Sequence, residues 1–263
     1  MSVRMTDPSA SSSDTQRGER IAKALARRGV ASRRDAERMI DEGRISLNGH
    51  AVTHPATFVQ EHDILIVDGK PVDPPQHTRL WRYHKPSGLV TTHHDPEERP
   101  TVFNSLPKAM PRVISVGRLD LNSEGLLLLT NDGALARELE LPSRQWMRRY
   151  RVRVFGVVDE KRLAQLAKGS TFDGVRYGPI DATLDSTKGD NSWLTVSLRE
   201  GKNREIRRVM MGLNLHVSRL IRLSYGPFIL GPLKARELEE VPSRVLADQI
   251  PSFSDKMTKA KRR

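Results

Sequence analysis

The chain has 263 residues, of which 37% are hydrophobic, so it can form one large or two modest cores, and we expect two domains. It contains no cysteine, which excludes disulfides, thiolate metal sites and cysteine nucleophiles. The longest aliphatic run, Leu126 to Leu129, is far shorter than the roughly 20 residues of a membrane helix. With no apolar N-terminal signal, these features predict a soluble, cytoplasmic protein.

The charge is unevenly distributed along the chain. Lys and Arg number 44 against 32 Asp and Glu, a net charge of +12. Three segments hold this excess: residues 144–153 carry +5, residues 199–222 carry +5 and residues 254–263 carry +4. Charge concentrated in this way favours a polyanionic partner, such as a nucleic acid, over a uniformly solvated basic surface.

The composition divides the chain into five parts. Residues 1–18 are rich in serine and residues 254–263 are polar and basic, so both tails are predicted to be disordered. Residues 19–72 and 80–253 have the apolar patterns of two folded domains. Residues 73–79 are predicted to be the linker, because closely spaced prolines disfavour both helix and strand.

The first domain begins with two predicted helices. Ile21 and Leu25 share one face of the first, and Ser32 is the predicted N-cap of the second, with Asp35 three residues later. Asn48-Gly49 then predicts a hairpin, so a small sheet follows the helices. The arginines on the helices are compatible with RNA contact or with a solvated, ion-paired surface, and the pattern alone leaves both open.

Strands dominate the second domain. The strand patterns cover about 113–116, 125–129, 150–158, 192–198 and 217–223, and helical patterns cover about 134–139, 160–167 and 203–211. Because strands and helices do not alternate regularly, we expect an α+β domain with a mainly antiparallel, mixed sheet flanked by helices.

Common catalytic signatures for nucleotide binding, hydride transfer and zinc proteolysis are missing, and loosely grouped histidines without thiols predict no metal site. One candidate remains. Asp120 lies in a loop between two predicted strands, bracketed by Gly117 and Gly125, where catalytic residues are often held on a rigid frame. A turn-forming aspartate would have the same local sequence, so the pattern leaves both interpretations open.

Two segments of the first domain resemble a known RNA-binding module. These are Glu-Arg-Ile-Ala-Lys-Ala-Leu-Ala at 19–26 and Gly-Val-Ala-Ser-Arg-Arg-Asp-Ala-Glu at 29–37. They are similar to the αL-type module of ribosomal small-subunit protein four. The resemblance implies that the helix pair docks on folded RNA and that Arg33 and Arg34 contact phosphates.

The second domain contains Gly-Arg-Leu-Asp at 117–120, followed by Gly125, an aliphatic run and Thr-Asn-Asp-Gly. This segment resembles the nucleophile motif of the ribosomal RNA pseudouridine synthases of the RsuA/RluB-like family. Three further segments match family motifs: 84–88, 149–152 and 200–208. The sequence departs from the common pattern at His84, where Asn is usual, and at Ser123, where Thr is usual.

The resemblance implies isomerisation of uridine to pseudouridine on a flipped-out base, with no cofactor because no external donor is needed. Asp120 would be the nucleophile, Arg207 the cation that keeps it ionised, and Arg118 a second cation. Tyr150 would receive the base, and the remaining basic residues of the late motif would hold the RNA backbone: Lys202, Arg204 and Arg208.

Residues 99–103 resemble the large-subunit branch more than the small-subunit branch, so the expected partner is 23S ribosomal RNA or an assembling ribosomal subunit, bound by a monomer. Three alternatives remain. They are a small-subunit (16S) synthase, a non-catalytic RNA-binding or ribosome-assembly factor, and a glycosidase whose second carboxyl would be Glu124.

Overall fold

The computed structural model describes residues 18–250 and Phe253, and the chain divides into two compact units at His77/Thr78. The predicted tails at 1–18 and 254–263 lie outside the described residues, apart from Gly18. Residues 72–79 form no helix or strand. The domain boundaries at 72, 73–79 and 80 stay predictions.

The first unit contains two helices and six short strands: β1 (Glu19–Arg20), α1 (Ile21–Arg27), α2 (Arg33–Asp41), β2 (Ile45–Leu47), β3 (His50–Ala51), β4 (Phe58–Val59), β5 (Leu65–Val67) and β6 (Lys70–Pro71). As predicted, Ser32 caps α2, its Oγ accepting a hydrogen bond from the Asp35 backbone N–H at 3.1 Å. Asn48 and Gly49 both have positive φ and turn β2 into β3. The helices therefore pack on a four-stranded antiparallel sheet ordered β3-β2-β5-β6, around a core that includes Leu25 and Ile40.

The second unit contains four helices and eleven strands: β7 (Leu80–Lys85), β8 (Ile114–Val116), β9 (Glu124–Thr130), α3 (Gly133–Glu140), β10 (Arg148–Phe155), α4 (Glu160–Gln165), β11 (Ser170–Phe172), β12 (Val175–Tyr177), β13 (Ile180–Lys188), β14 (Asn191–Leu198), α5 (Glu205–Gly212), β15 (His216–Tyr225), β16 (Phe228–Ile229), β17 (Leu238–Glu240) and α6 (Ser243–Gln249). Its main sheet has the order β13-β14-β10-β15-β9-β7-β17, with β8 and β16 added beside β9 and β15. Every pair is antiparallel except β15 with β9. The predicted α+β class with a mainly antiparallel, mixed sheet is confirmed.

The aliphatic run in β9 is explained by burial on both faces of the sheet. Leu126 and Leu128 pack with α3 and α6, whereas Leu127 and Leu129 pack in a separate cluster with Trp81. A strand covered on both faces has no reason to alternate apolar with polar residues. Packing on both faces therefore restrains β9, including its N-terminal end, which directly follows Ser123.

The neighbouring half of the sheet is covered on one face. Val152 and Val154 of β10 are buried against a cluster that includes residues of α4 and α5, while Arg151 and Arg153 are exposed on the opposite face. Tyr150 has the same parity as the two valines, which places its ring on the covered face. The exposed face of β10, here called its outer row, is therefore basic, whereas the covered face, its inner row, is largely apolar.

Gly125 allows a close backbone approach between β9 and β15. Its φ is +100°, and a Cβ added there would lie 2.3 Å from the carbonyl oxygen of Arg222 and 2.6 Å from its nitrogen. These two residues are register partners in the parallel pair of β9 and β15. No side chain fits at residue 125 without separating the two strands.

We expect Gly125→Ala to lower the free energy of unfolding by more than about 3 kcal/mol, because positive-φ strain adds to the displacement of β15. Gly189→Ala is the matched control, since Gly189 also has positive φ but nothing lies within 4 Å of an added Cβ. It should cost about 1 kcal/mol. Denaturant unfolding measures both, and equal losses would contradict the close-approach argument.

Candidate active site

A cleft of about 310 Å³ opens on the second unit between the loop at 117–123, here called the Asp120 loop, and the covered face of β10 and β15. The segment that precedes α5 closes the third side. Asp120 and Tyr150 both line this cleft. Residues that are 30 positions apart in the chain are thus brought together by strand pairing.

Lys85 holds the Asp120 loop from beneath. Its side chain is fully buried, and its Nζ donates to four carbonyl oxygens, those of Pro86 at 3.0 Å, Asp120 at 3.1 Å, Leu121 at 3.3 Å and Ser123 at 2.8 Å. Burial lowers the pKa of Lys85 to about 8, opposed by the negative charges of Asp120 and Glu124. A buried ammonium surrounded by carbonyl oxygens leaves the loop little freedom.

Thr91 and Arg207 are two further side chains among those that support the Asp120 loop. Thr91 Oγ1 donates to the carbonyl oxygen of Leu119 at 2.9 Å. Arg207 Nη2 donates to the carbonyl oxygen of Asn122 at 2.9 Å, and its Nη1 donates to Val217 at 3.1 Å. Arg207 therefore contacts the backbone of the loop and not the carboxylate of Asp120.

Arg204 is the cation that forms an ion pair with Asp120. Its Nη1 lies 3.9 Å from Oδ2 of Asp120, whose side chain keeps 35% of its area exposed. Burial lowers the pKa of Arg207, and the charge of Arg204 lowers it further, while Asp120 acts in the opposite direction. Asp120 consequently lies in a positive field from two arginines, with the partly exposed Arg204 in direct contact.

Tyr150 lies at the start of the inner row of β10. Its ring is partly buried, packs against the apolar cluster of this half of the sheet and also lines the cleft. Its cross-strand partners are Val196 on β14 and Arg222 on β15. The ring thus has one side in the core and another open to the cleft.

The structure brings together five of the predicted site residues of the second unit: Asp120, Tyr150, Arg118, Lys202 and Arg204 all line the cleft. Lys202 is partly engaged already, because its Nζ donates to Glu200 at 2.9 Å and to the Arg176 carbonyl at 2.7 Å. Arg208 is exposed on α5 outside the cleft lining.

Arg33 and Arg34 lie in the first unit, at the start of α2. Arg33 lines a separate recess beside Arg20 and Lys23, and Arg34 is exposed.

Two buried basic residues of the site are not identified by the sequence motifs alone. Lys85 lies in a family motif without an assigned role, and Arg222, which is 3% exposed and lines the cleft, lies in a predicted strand. A charged residue at a core-facing strand position is the available signal, since a lone buried charge is costly. For both residues, this signal can be used only when it is known which face of the strand is covered.

Glu205, at the start of α5, is a buried carboxyl group in the cleft wall. Its Oε2 accepts a hydrogen bond from the Lys202 backbone N–H at 2.9 Å, and its Oε1 is shielded from solvent. Burial raises the pKa of Glu205 to about 7, and the negative charge of Glu200 raises it as well. Lys202 lowers the pKa of Glu200, so Glu200 is ionised at pH values where Glu205 still holds its proton.

No group of three or more His, Asp or Glu residues within the described part of the chain is arranged to hold a metal ion. Two histidines of the second unit contact neighbouring groups instead. His84 Nδ1 lies 2.7 Å from the Leu233 carbonyl oxygen, and the His93 ring stacks on Phe103 with centroids 3.6 Å apart. Among residues 18–250 and 253, no helix combines the length and apolarity required to cross a bilayer.

We predict that Glu205→Gln flattens the pH dependence of stability between about pH 4.5 and 7.5. In the natural chain the folded state keeps the proton of Glu205, whereas the unfolded state begins to lose it at about pH 4.5. The stability that comes from the neutral Glu205 side chain is therefore fully present below pH 4.5. It is lost as the pH rises through 7, and it amounts to about 2–3 kcal/mol. Denaturant unfolding across this range measures it. The exposed Glu160→Gln should retain the natural slope, and a Glu205→Gln curve parallel to it would contradict the assignment.

Two family models match the chain. The RNA pseudouridylate synthase model matches residues 79–211, and the S4 domain model matches residues 19–65. An uncharacterised RNA pseudouridine synthase of Rickettsia bellii is 49% identical over 227 residues, covering 86% of this chain and 98% of that one. Ribosomal large subunit pseudouridine synthase B of Pasteurella multocida is 43% identical over 215 residues, covering 80% of this chain and 62% of that one.

The fold agrees with these matches. A crystal structure of a pseudouridylate synthase superimposes with a TM-score of 0.61 at 22% identity, covering 89% of this chain and all of that one. The family predicted from the motifs at 117–125 and 200–208 is confirmed. The chain belongs to the RNA pseudouridine synthases, enzymes that isomerise uridine to pseudouridine, and carries an S4 RNA-binding domain in front of the synthase domain.

Proposed function

We propose that this enzyme converts one uridine of large-subunit (23S) ribosomal RNA to pseudouridine, with Asp120 as nucleophile and the target base turned out of its stack. The observation that carries the proposal is the position of Asp120. Its carboxylate stands on a loop held by buried hydrogen bonds, at a cleft that also contains Tyr150 and several cations.

The reaction is an isomerisation in which the bonds balance within the substrate. The bond between N1 of uracil and C1′ of ribose breaks, a bond between C5 and C1′ forms, the proton on C5 leaves, and N1 gains a proton. Nothing is oxidised or reduced, so no external donor or cofactor is required. Covalent attack by a carboxylate divides this exchange into easier steps.

Asp120 has the properties that a carboxylate nucleophile needs. The side chain is about one-third exposed, so it can reach a bound nucleotide, and Arg204 Nη1 lies 3.9 Å from its carboxylate. The backbone carbonyls on both sides of it are hydrogen-bonded, which fixes the direction of the side chain before substrate arrives.

The contacts suggest different roles for the two arginines of the late motif. Arg204 is the direct electrostatic partner of Asp120, whereas Arg207 acts through the Asn122 carbonyl oxygen and is proposed as a positioning residue. If RNA binding moved the exposed Arg204 away from Asp120, the partly buried Arg207 would still lie near the carboxylate. Arg118 remains a second, exposed cation at the same rim.

Tyr150 is proposed to stack on the flipped uracil. A base inside a helix is inaccessible to a carboxylate, and an extruded base needs an aromatic or apolar face to replace its lost stacking. The partly buried ring of Tyr150 offers such a face inside the cleft. Its hydroxyl is also a candidate for taking the C5 proton.

The exposed cations around the cleft are proposed to hold the RNA backbone: Arg118, Lys202, Arg204 and Arg208. Such contacts position RNA without reading its sequence. In the first unit, Arg33 and Arg34 at the start of α2 would bind phosphates of a folded RNA segment.

The choice of large-subunit RNA rests on similarity. The relative from Pasteurella multocida is named for the large ribosomal subunit, and residues 99–103 have the pattern of that branch. The protein would act on this RNA either free or in an assembling subunit.

We predict that Asp120→Asn abolishes pseudouridine formation, a loss of at least about 10³-fold, because the amide cannot act as the nucleophile. The purified natural chain and the variant are incubated with large-subunit and small-subunit ribosomal RNA transcripts, and pseudouridine is mapped chemically. Asp185→Asn is the matched control. Asp185 is exposed on β13, outside the cleft lining, and should keep full activity.

The outcomes separate the alternatives. Product from Asp120→Asn at the natural rate would remove the nucleophile assignment. Product on the small-subunit transcript alone would identify the small-subunit branch. RNA binding without product from the natural chain on either transcript would favour a binding or assembly factor.

A second prediction concerns the S4 domain. Arg33→Ala with Arg34→Ala should weaken binding to ribosomal RNA and reduce the slope of log K against log salt by about 2, one for each lost phosphate contact. Arg38→Ala is the control, because Arg38 lies on the same helix but is paired with Asp35 at 3.1 Å. Filter binding at several salt concentrations measures the slopes, and equal slopes for the two variants would refute the assignment.

A further inference from the structure

Arg222 is a buried cation in the middle of the main sheet, on the floor of the cleft. Only 3% of the residue is exposed, and its Nε donates to the Leu126 carbonyl oxygen at 2.7 Å. Its Nη2 is shielded from solvent and has no hydrogen-bond partner among the residues that the structure describes. The guanidinium lies over the ring of Tyr225, 5.2 Å from its centroid, but a buried donor without a hydrogen-bond partner is still costly.

The position of Arg222 is fixed by both neighbouring strands. Tyr150 is its partner across the antiparallel pair of β10 and β15, so the two side chains lie on the same face of the sheet. On the other side, the bare backbone of Gly125 packs directly against that of Arg222. An arginine thus stands next to the ring that is proposed to receive the base.

The depth of Arg222 decides what kind of group it can meet. Arginine has hydrogen-bond donors and no acceptor, so its ligand must offer an acceptor. Phosphates lie on the outside of an RNA strand and would meet the exposed cations at the rim, such as Arg118 and Arg204, first. The part of a flipped nucleotide that goes deepest is the base, and the acceptors at the edge of uracil are its two carbonyl oxygens.

We propose that Arg222 donates a hydrogen bond to a carbonyl oxygen of the target uracil and stabilises the negative charge that collects there during the reaction. The inference rests on the proposed function and adds a catalytic residue to it. The donor is held in place before substrate binds, by its Nε hydrogen bond and its two flanking strands, as electrostatic stabilisation of a transition state requires.

This role suits both points of attack by Asp120. If the carboxylate bonds to C1′, the N1–C1′ bond breaks and its electron pair stays on uracil, spread over N1, O2 and O4. If the carboxylate adds to C6, the electron pair of the C5=C6 bond moves towards the C4 carbonyl oxygen. In either route the ring is neutral again once the C5–C1′ bond has formed, the C5 proton has left and N1 has gained a proton.

The geometry of the isomerisation also suits a single fixed donor. Rotation of the detached ring about the axis through N3 and C6 exchanges N1 with C5 and, at the same time, O2 with O4. A donor beside one carbonyl oxygen before rotation therefore faces the other one afterwards. Cytosine has an amino group in place of O4, so one of its two orientations would set donor against donor, which disfavours it.

The test compares rates on ribosomal RNA carrying uridine, 2-thiouridine or 4-thiouridine at the modified position, since sulfur is a weaker acceptor than oxygen. Arg222→Gln should lower the single-turnover rate by about 10²-fold, with RNA affinity changed less than about threefold. At least one thio substitution should slow the natural enzyme by about fivefold or more. Neither should slow Arg222→Gln further, because the contact is already lost.

Arg153→Met is the matched control, because Arg153 lies in the same sheet on the exposed face and should leave rates and thio effects unchanged. An Arg222→Gln enzyme with a natural rate, or one slowed by the thio substitutions as much as the natural enzyme, would overturn the inference alone. A natural enzyme without product on any ribosomal RNA would overturn the proposed function and the inference with it.

Thermal unfolding shows whether the variants are folded. If Arg222→Gln fails to fold, Arg222→Lys makes the same comparison, since it keeps the charge but moves the donor. A reduced thio effect in Arg222→Lys supports the inference, and an undiminished effect contradicts it.

Discussion

The candidate active site depends on the buried ammonium of Lys85. Its hydrogen bonds join the end of β7 to the carbonyl oxygens of Asp120, Leu121 and Ser123, so the loop that carries the proposed nucleophile is tied to the sheet. Without that cation, several carbonyl oxygens would face one another in a space closed to water. The loop would then relax and the carboxylate would lose its direction.

The charges of the cleft are arranged by depth. Exposed arginines stand at the rim, where the RNA backbone would lie, and Arg222 stands at the floor, where a base would lie. Asp120 lies between them with Arg204 as its ion partner. Burial raises the pKa of Glu205 to about 7, so near neutral pH this carboxyl group adds less negative charge to the cleft wall than an exposed glutamate would. The cleft is therefore suited to an anionic polymer that inserts one neutral base.

Local features of the fold followed from the sequence with good accuracy. The Ser32 cap, the Asn48-Gly49 turn and the helix of Ile206 and Val209 all form where the pattern predicts them, because each depends on residues within a few positions of one another. The family motifs also indicated that Asp120 and Tyr150 belong to one site. Which arginine contacts Asp120 was not predictable, since Arg204 is the N-cap residue of α5 and Arg207 lies only three residues later, in the first turn.

The sequence by itself determined the class of the protein, many of its helix and strand positions and the residue types of its chemistry, since these depend on local periodicity and short motifs. It did not predict β7, β13 or α6. Only the tertiary structure decided that Lys85 lies beneath the Asp120 loop and that Arg222 forms the floor of the cleft. Both facts depend on strand register and on which sheet face is covered, and these are set by contacts between segments 35 to almost 100 residues apart. No local pattern encodes such pairings, because their energy comes from burial of the assembled sheet.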